Sequence, residues 1–176
     1  VRLVDDATAA WPRPIDPRYA GFRFHSRLEA QWAVFFDALG ISWRYKPQGY
    51  KLPDGTQCLP DFEMVHDDMF TARPANPRQV TCAGKEVFDR TFIVIKGTHW
   101  ELEEFDKMYD LSQSMCCEVV LLMGTPSDVL RLDNVRSISF FDGIDYVTWA
   151  GRLYPTDLLH DAMDAAMDAR FEAGEQ

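Results

Sequence analysis

The sequence has no uninterrupted apolar run approaching the roughly 18 to 20 residues that a membrane-spanning helix needs. Val1 to Ala10 also lack the basic-then-apolar pattern of a secretion signal. The resulting expectation is a protein of the cytoplasm with no membrane segment. Cys58, Cys82, Cys116 and Cys117 form neither a C-x-x-C pair nor the framework of a small secreted domain, and they read as reduced structural thiols. Basic charge is scarce: 18 Lys and Arg stand against 28 Asp and Glu, a formal net charge of -10. A protein that follows a phosphate backbone usually presents a basic surface, so nucleic-acid contact here requires a local patch. Arg73, Arg78, Lys85 and Arg90 supply one, in a window from Asp68 to Thr91 that holds few acids. Repeats, low-complexity tracts and a dividing linker are absent as well.

What remains is a chain of 176 residues with 47% hydrophobic content, enough for one ordinary core. Pro12, Pro14 and Pro17 mark residues 1–20 as an extended N-terminal arm, and residues 21–176 as a single α/β domain. Leu28, Trp32, Phe35, Phe36 and Leu39 repeat at helical spacing. Ser26 and Glu29 fit a capping box and Gly40 supplies a stop, predicting a helix over about Arg27 to Leu39. Short runs from Ile41 to Met64, broken by Pro53-Asp54-Gly55, predict an antiparallel meander in which Trp43 and Tyr45 are packing residues. Residues 66–90 have no period and read as a long loop.

Thr91 to Ile95 reads as a buried strand ending at Lys96-Gly97. Thr98 and Glu101 cap a helix carrying Leu102, Phe105, Met108 and Leu111, and Glu118 to Met123 is a second buried strand. Strand, helix and strand in that order imply a right-handed crossover and parallel pairing. Ser137 to Phe141 and Tyr146 to Trp149 suggest a hairpin around Asp142-Gly143, and Thr156 starts a last helix running to about Phe171. Asp161, Asp164, Asp168 and Glu172 fall on one acidic face of that helix. Such a face is usually solvated; its sharper reading is a surface for a basic protein partner.

Three pieces carry chemistry: Glu29 in the first helix, Leu59-Pro60-Asp61-Phe62, and Ile95-Lys96-Gly97. Together with Ser26-Arg27-Leu28-Glu29-Ala30 and the stretch from Tyr50 to Phe62, they resemble the PD-(D/E)xK nuclease superfamily, and more closely its small phage and bacterial members. The likeness spans roughly Gly21 to Gly124. It implies a restriction-endonuclease-like core, a mixed central β-sheet flanked by helices, in a bacterial or phage-infected host cell. It also implies a hydrolase acting on DNA with Mg²⁺ (or Mn²⁺), in which Asp61 holds the metal, Lys96 orients the attacking water and Glu29 adds a ligand. Arg73, Arg78, Lys85 and Arg90 would hold the DNA backbone.

Val94 departs from the pattern. It stands two residues before Lys96, where the superfamily places an acid, and valine binds no metal. Glu63, expected on the same strand face as Asp61, is the first candidate to replace it, ahead of Glu101 and Glu86. Three readings stay open: a metal-dependent nuclease or nuclease-like protein acting on DNA; a catalytically silent relative, a pseudoenzyme, that binds and inhibits a host nucleic-acid-processing or defence protein; and a DNA-binding module without hydrolysis. Glu29 itself has two: helix cap, reaching back to the Ser26 N–H, or site ligand.

Overall fold

The computed structural model describes residues 16–64, 91–97, 101–115, 117–130, 137–140, 144–145 and 156–173. In chain order they form β1 (Pro17–Tyr19), β2 (Phe22–Arg23), α1 (Arg27–Ala38), β3 (Trp43–Tyr45), β4 (Tyr50–Lys51), β5 (Gln57–Cys58) and β6 (Phe62–Met64). Then follow β7 (Thr91–Lys96), α2 (Leu102–Met115), β8 (Glu118–Met123), α3 (Pro126–Leu130), β9 (Ser137–Phe140), β10 (Ile144–Asp145), α4 (Thr156–Asp168) and β11 (Glu172–Ala173). The fold is mixed α/β. Its central sheet has the order β10-β9-β8-β7-β6-β3, with β7 and β8 parallel and the other neighbours antiparallel.

Helix α1 forms where its caps direct. The Ser26 hydroxyl accepts the Glu29 N–H at 3.1 Å. At the far end Gly40 takes φ +70°, letting the Gly40 N–H reach Asp37 O and the Ile41 N–H reach Phe36 O, each at 2.9 Å. That closing geometry needs a left-handed residue, which glycine supplies without steric cost. The apolar stripe of α1 buries Trp32, Phe35 and Phe36 against Phe62, Ile93 and Ile95 on one face of the sheet, with Leu159, Ala162 and Ala166 of α4 beside them. Each fully buried side chain of this size contributes about 1.5–3 kcal/mol. Trp32 also donates its indole N–H to Gly124 O at 2.9 Å, tying the helix to the end of β8. The opposite sheet face is more aliphatic: Val94, Val119 and Leu121 with Phe92, under Met108 and Leu111 of α2.

Several expectations change in detail. The N-terminal arm does not extend to residue 20, because Pro17–Tyr19 pair with both β2 and β11 in a separate sheet. Pro17 is tolerated there as the first residue of its strand. Ala20 (φ +50°) and Gly21 (φ +80°) make the two-residue turn that the twist of a tight hairpin favours. The last helix stops at Asp168, so Glu172 belongs to β11 and is not part of the helical acidic face. Ile144–Asp145 pairs with β9, and the expected second strand of that hairpin, Tyr146 to Trp149, lies outside the described residues. A short helix, α3, follows Gly124, nucleated by a reciprocal cap in which Thr125 N–H donates to Asp128 Oδ2 (2.9 Å) and Asp128 N–H to Thr125 Oγ1 (3.2 Å). The expected loop at 66–90, Thr98 of the second capping box, Cys82 and Cys116 lie outside the described residues.

Candidate functional site at the end of the sheet

The antiparallel β3–β6 register pairs Tyr45 with Phe62 and Arg44 with Glu63. One step beyond it Lys46 meets Asp61, and the Lys46 N–H donates to Asp61 O at 2.9 Å. Lys46 holds φ +45° just before Pro47, a backbone state non-glycine residues rarely adopt and one found disproportionately at functional positions. Its ammonium donates to Asp61 Oδ1 in a short contact and lies 3.8 Å from Glu29 Oε1.

Asp61 has its other oxygen engaged as well. Pro60 brings no N–H to the sheet and the β6–β7 register ends at the Phe62–Ile93 pair. Beyond it, Asp61 Oδ2 accepts the Ile95 N–H at 2.7 Å. Asp61 is only 6% exposed. Burial pushes its carboxyl above the usual range and the nearby Glu29 charge adds to this, against the Ile95 N–H and Lys46, which pull the other way.

Glu29, 8% exposed, caps its helix and also faces the Lys46 ammonium. Its Oε2 accepts the His25 N–H at 3.1 Å, so the reciprocal cap bond comes from His25 and not from Ser26 as expected, while Oε1 faces Lys46. The Tyr45 hydroxyl donates to Glu29 Oε2 at 2.6 Å and accepts from the His25 N–H at 3.0 Å. Burial, and next the Glu29 bond, keep that hydroxyl protonated well beyond its ordinary range.

The structure therefore brings Asp61 and Glu29 together around Lys46. Lys96, expected beside Asp61, pairs with Glu104 of α2. Glu63 is buried and faces Arg44 Nη1 at 3.6 Å. Val94, 3% exposed, packs with Cys58, Phe92 and Leu111 as core. Cys58 is a buried free thiol whose pKa burial raises. Arg73, Arg78, Lys85, Arg90 and Glu86 lie outside the described residues. Lys46 is the residue sequence reasoning missed. Its signal was the aromatic alternation Trp43-x-Tyr45 against Phe62-x-Met64, which sets the register that carries Lys46 to Asp61.

A Mg²⁺ ion needs several carboxylate or water oxygens free to face it. Here each Asp61 oxygen already accepts a hydrogen bond, an ammonium stands between Asp61 and Glu29, and the residue two before Lys96 is a core valine. Among the described residues no group of three or more His, Cys, Asp or Glu is placed to hold a metal ion. As arranged, these residues do not fit the cation.

Fold and site together define a mixed α/β protein with a buried acid–lysine cluster at one end of its central sheet. A scan of protein-family models finds no match to the chain, and a search of curated proteins finds none either. Among the described residues no helix is long and apolar enough to cross a membrane.

Proposed function

We propose that the chain is a nuclease-like protein with a restriction-endonuclease-like core that acts on DNA by binding it, its cleavage chemistry impaired by its own lysine. The observation that carries this reading is the Lys46 ammonium between Asp61 and Glu29, in the position where the sequence resemblance puts the metal. A fixed ammonium neutralises the acids, but it neither acidifies a water as a divalent cation does nor offers an open coordination position. The order of elements supports the nuclease-like core: a helix bearing Glu29, an antiparallel strand entered through Pro60-Asp61, and a parallel strand–helix–strand unit ending its first strand at Lys96.

Calorimetry with Mg²⁺ and Mn²⁺ on the wild type and on Asp61→Ala tests this, alongside cleavage of plasmid and single-stranded DNA and DNA affinity as a function of salt. The expected result is salt-sensitive DNA binding with neither cutting nor metal uptake that depends on Asp61. Metal-dependent cutting that vanishes in Asp61→Ala would restore the enzyme reading.

One observation favours a second reading, the silent relative that binds a basic protein. Asp161, Asp164 and Asp168 are all exposed on α4, while Leu159, Ala162 and Ala166 of the same helix are buried. An acidic ridge on a rigid, well-packed helix complements a basic surface. Absence of DNA affinity even at low salt would move the assignment there.

A further inference from the structure

The small β11-β1-β2 sheet borders a groove of about 680 Å³ lined by Arg18, Tyr19, Phe22, Arg23 and Arg170 among others. That volume lies within the range of ligand-binding clefts. Arg18 and Arg23 are direct partners across the β1–β2 hairpin. Like charges placed opposite one another oppose pairing, so the hairpin carries a cost for facing these two arginines across its strands. Arg170, just past α4, adds a third.

The acids at hand are fewer. Asp16 takes Arg23 Nε at 2.8 Å, and Glu172 is the register partner of Arg18 on β11. Among the described residues neither Arg18 nor Arg170 makes an ion pair. In a chain of net charge -10, converging arginines at a concave site form a local attractor for an anion.

The aromatic wall narrows the class of anion. Phe22 is 41% exposed, and its ring sits 5.1 Å from Trp43 and 6.3 Å from Tyr45, centroid to centroid. Asp37 braces this wall, accepting the Tyr19 hydroxyl and the Trp43 indole N–H, each at 2.8 Å. A half-exposed ring on a rigid aromatic support beside guanidiniums is what an unpaired base and its phosphates require.

We propose that this groove binds the backbone of single-stranded nucleic acid through Arg18, Arg23 and Arg170, with Phe22 stacking on one base. The assignment rests on the DNA-binding reading and gives it a site among the described residues.

Fluorescence anisotropy with a labelled thymidine oligonucleotide about 12 nucleotides long, titrated between about 50 and 200 mM salt, tests it. Arg18→Glu and Arg170→Glu, both at exposed positions, should each weaken binding about tenfold and flatten the salt slope by about one. Phe22→Leu keeps the apolar packing without the π face and should weaken binding about fivefold at an unchanged salt slope. Lys51→Glu, an equal charge change at an exposed position outside the groove lining, should leave affinity within about twofold. Wild-type binding that survives both arginine reversals, or that falls equally in Lys51→Glu, would overturn the groove while leaving the DNA-binding reading in place. A wild type that binds plasmid DNA but no oligonucleotide would overturn the groove alone, and one that binds neither would overturn both.

Discussion

Two lysines leave the same end of the central sheet and meet opposite fates. Lys46, at the exit of β3, lies with its side chain 19% exposed between Asp61 and Glu29, both nearly sealed from water. Lys96, at the exit of β7, pairs with Glu104 on the open side of α2, the two side chains 31% and 27% exposed. The sequence motif singles out Lys96, whereas β3–β6 register and the turned backbone at Lys46 hand the acid to the other lysine. Placement on the sheet, and not proximity in a motif, decides which cation an acid receives. Burial then decides how much that pairing matters.

The largest difference between the two should appear on removing the charge. Lys46→Met leaves two facing carboxylates in a dry pocket, and losing one partner of a buried pair typically costs about 3–5 kcal/mol. Urea unfolding should show a loss of that size. Adding Asp61→Asn and Glu29→Gln to the same protein should recover most of it, because replacing a whole buried charged set is often close to neutral. A triple variant no more stable than Lys46→Met would mean that the cluster contributes shape and hydrogen bonds more than charge balance.

How legible this was differs between the elements and the site. Helix α1 was readable to within one residue because its caps and its apolar stripe agree, and the β7–α2–β8 unit because continuous apolar runs flank a periodic segment. The β1–β2 hairpin was hidden: Pro17 reads as a strand breaker, and partner β11 lies more than 150 residues away in sequence. At the site, Glu29 and Asp61 were visible as acids at motif positions. Lys46 was not, since a lysine before proline reads as loop, and its positive φ leaves no trace in hydropathy. Glu104 was equally invisible as the partner of Lys96, because which turn of α2 faces a strand end follows from packing and not from local pattern.

A smaller effect sharpens the comparison by pH. Asp61 has its folded carboxyl raised above the ordinary value, first by burial. A group so shifted contributes stability that is fully present below the ordinary carboxylate pKa of about 3.9 and lost as pH rises through the folded value. Asp61→Asn does not titrate there. The stability of wild type relative to Asp61→Asn should therefore improve as pH falls from 7 toward about 4, measured by urea midpoints of both proteins at each pH. A gap that instead favours wild type more as pH rises would show that Lys46 outweighs burial.

The smallest effect is expected at the motif lysine itself. Lys96→Met removes a partly exposed pair, which water and salt already screen, and such pairs contribute about 0–1 kcal/mol. The methionine keeps most of the apolar stem along the strand end, so packing changes little. The loss should stay under about 1 kcal/mol and shrink further as salt is raised. A loss comparable with that of Lys46→Met would show that Lys96 also supports the buried acids, and would return it to the site from which its pairing with Glu104 removes it. A small loss leaves Lys46 as the cation that balances Asp61 and Glu29, so a divalent metal entering that pocket would first have to displace a side chain the fold depends on.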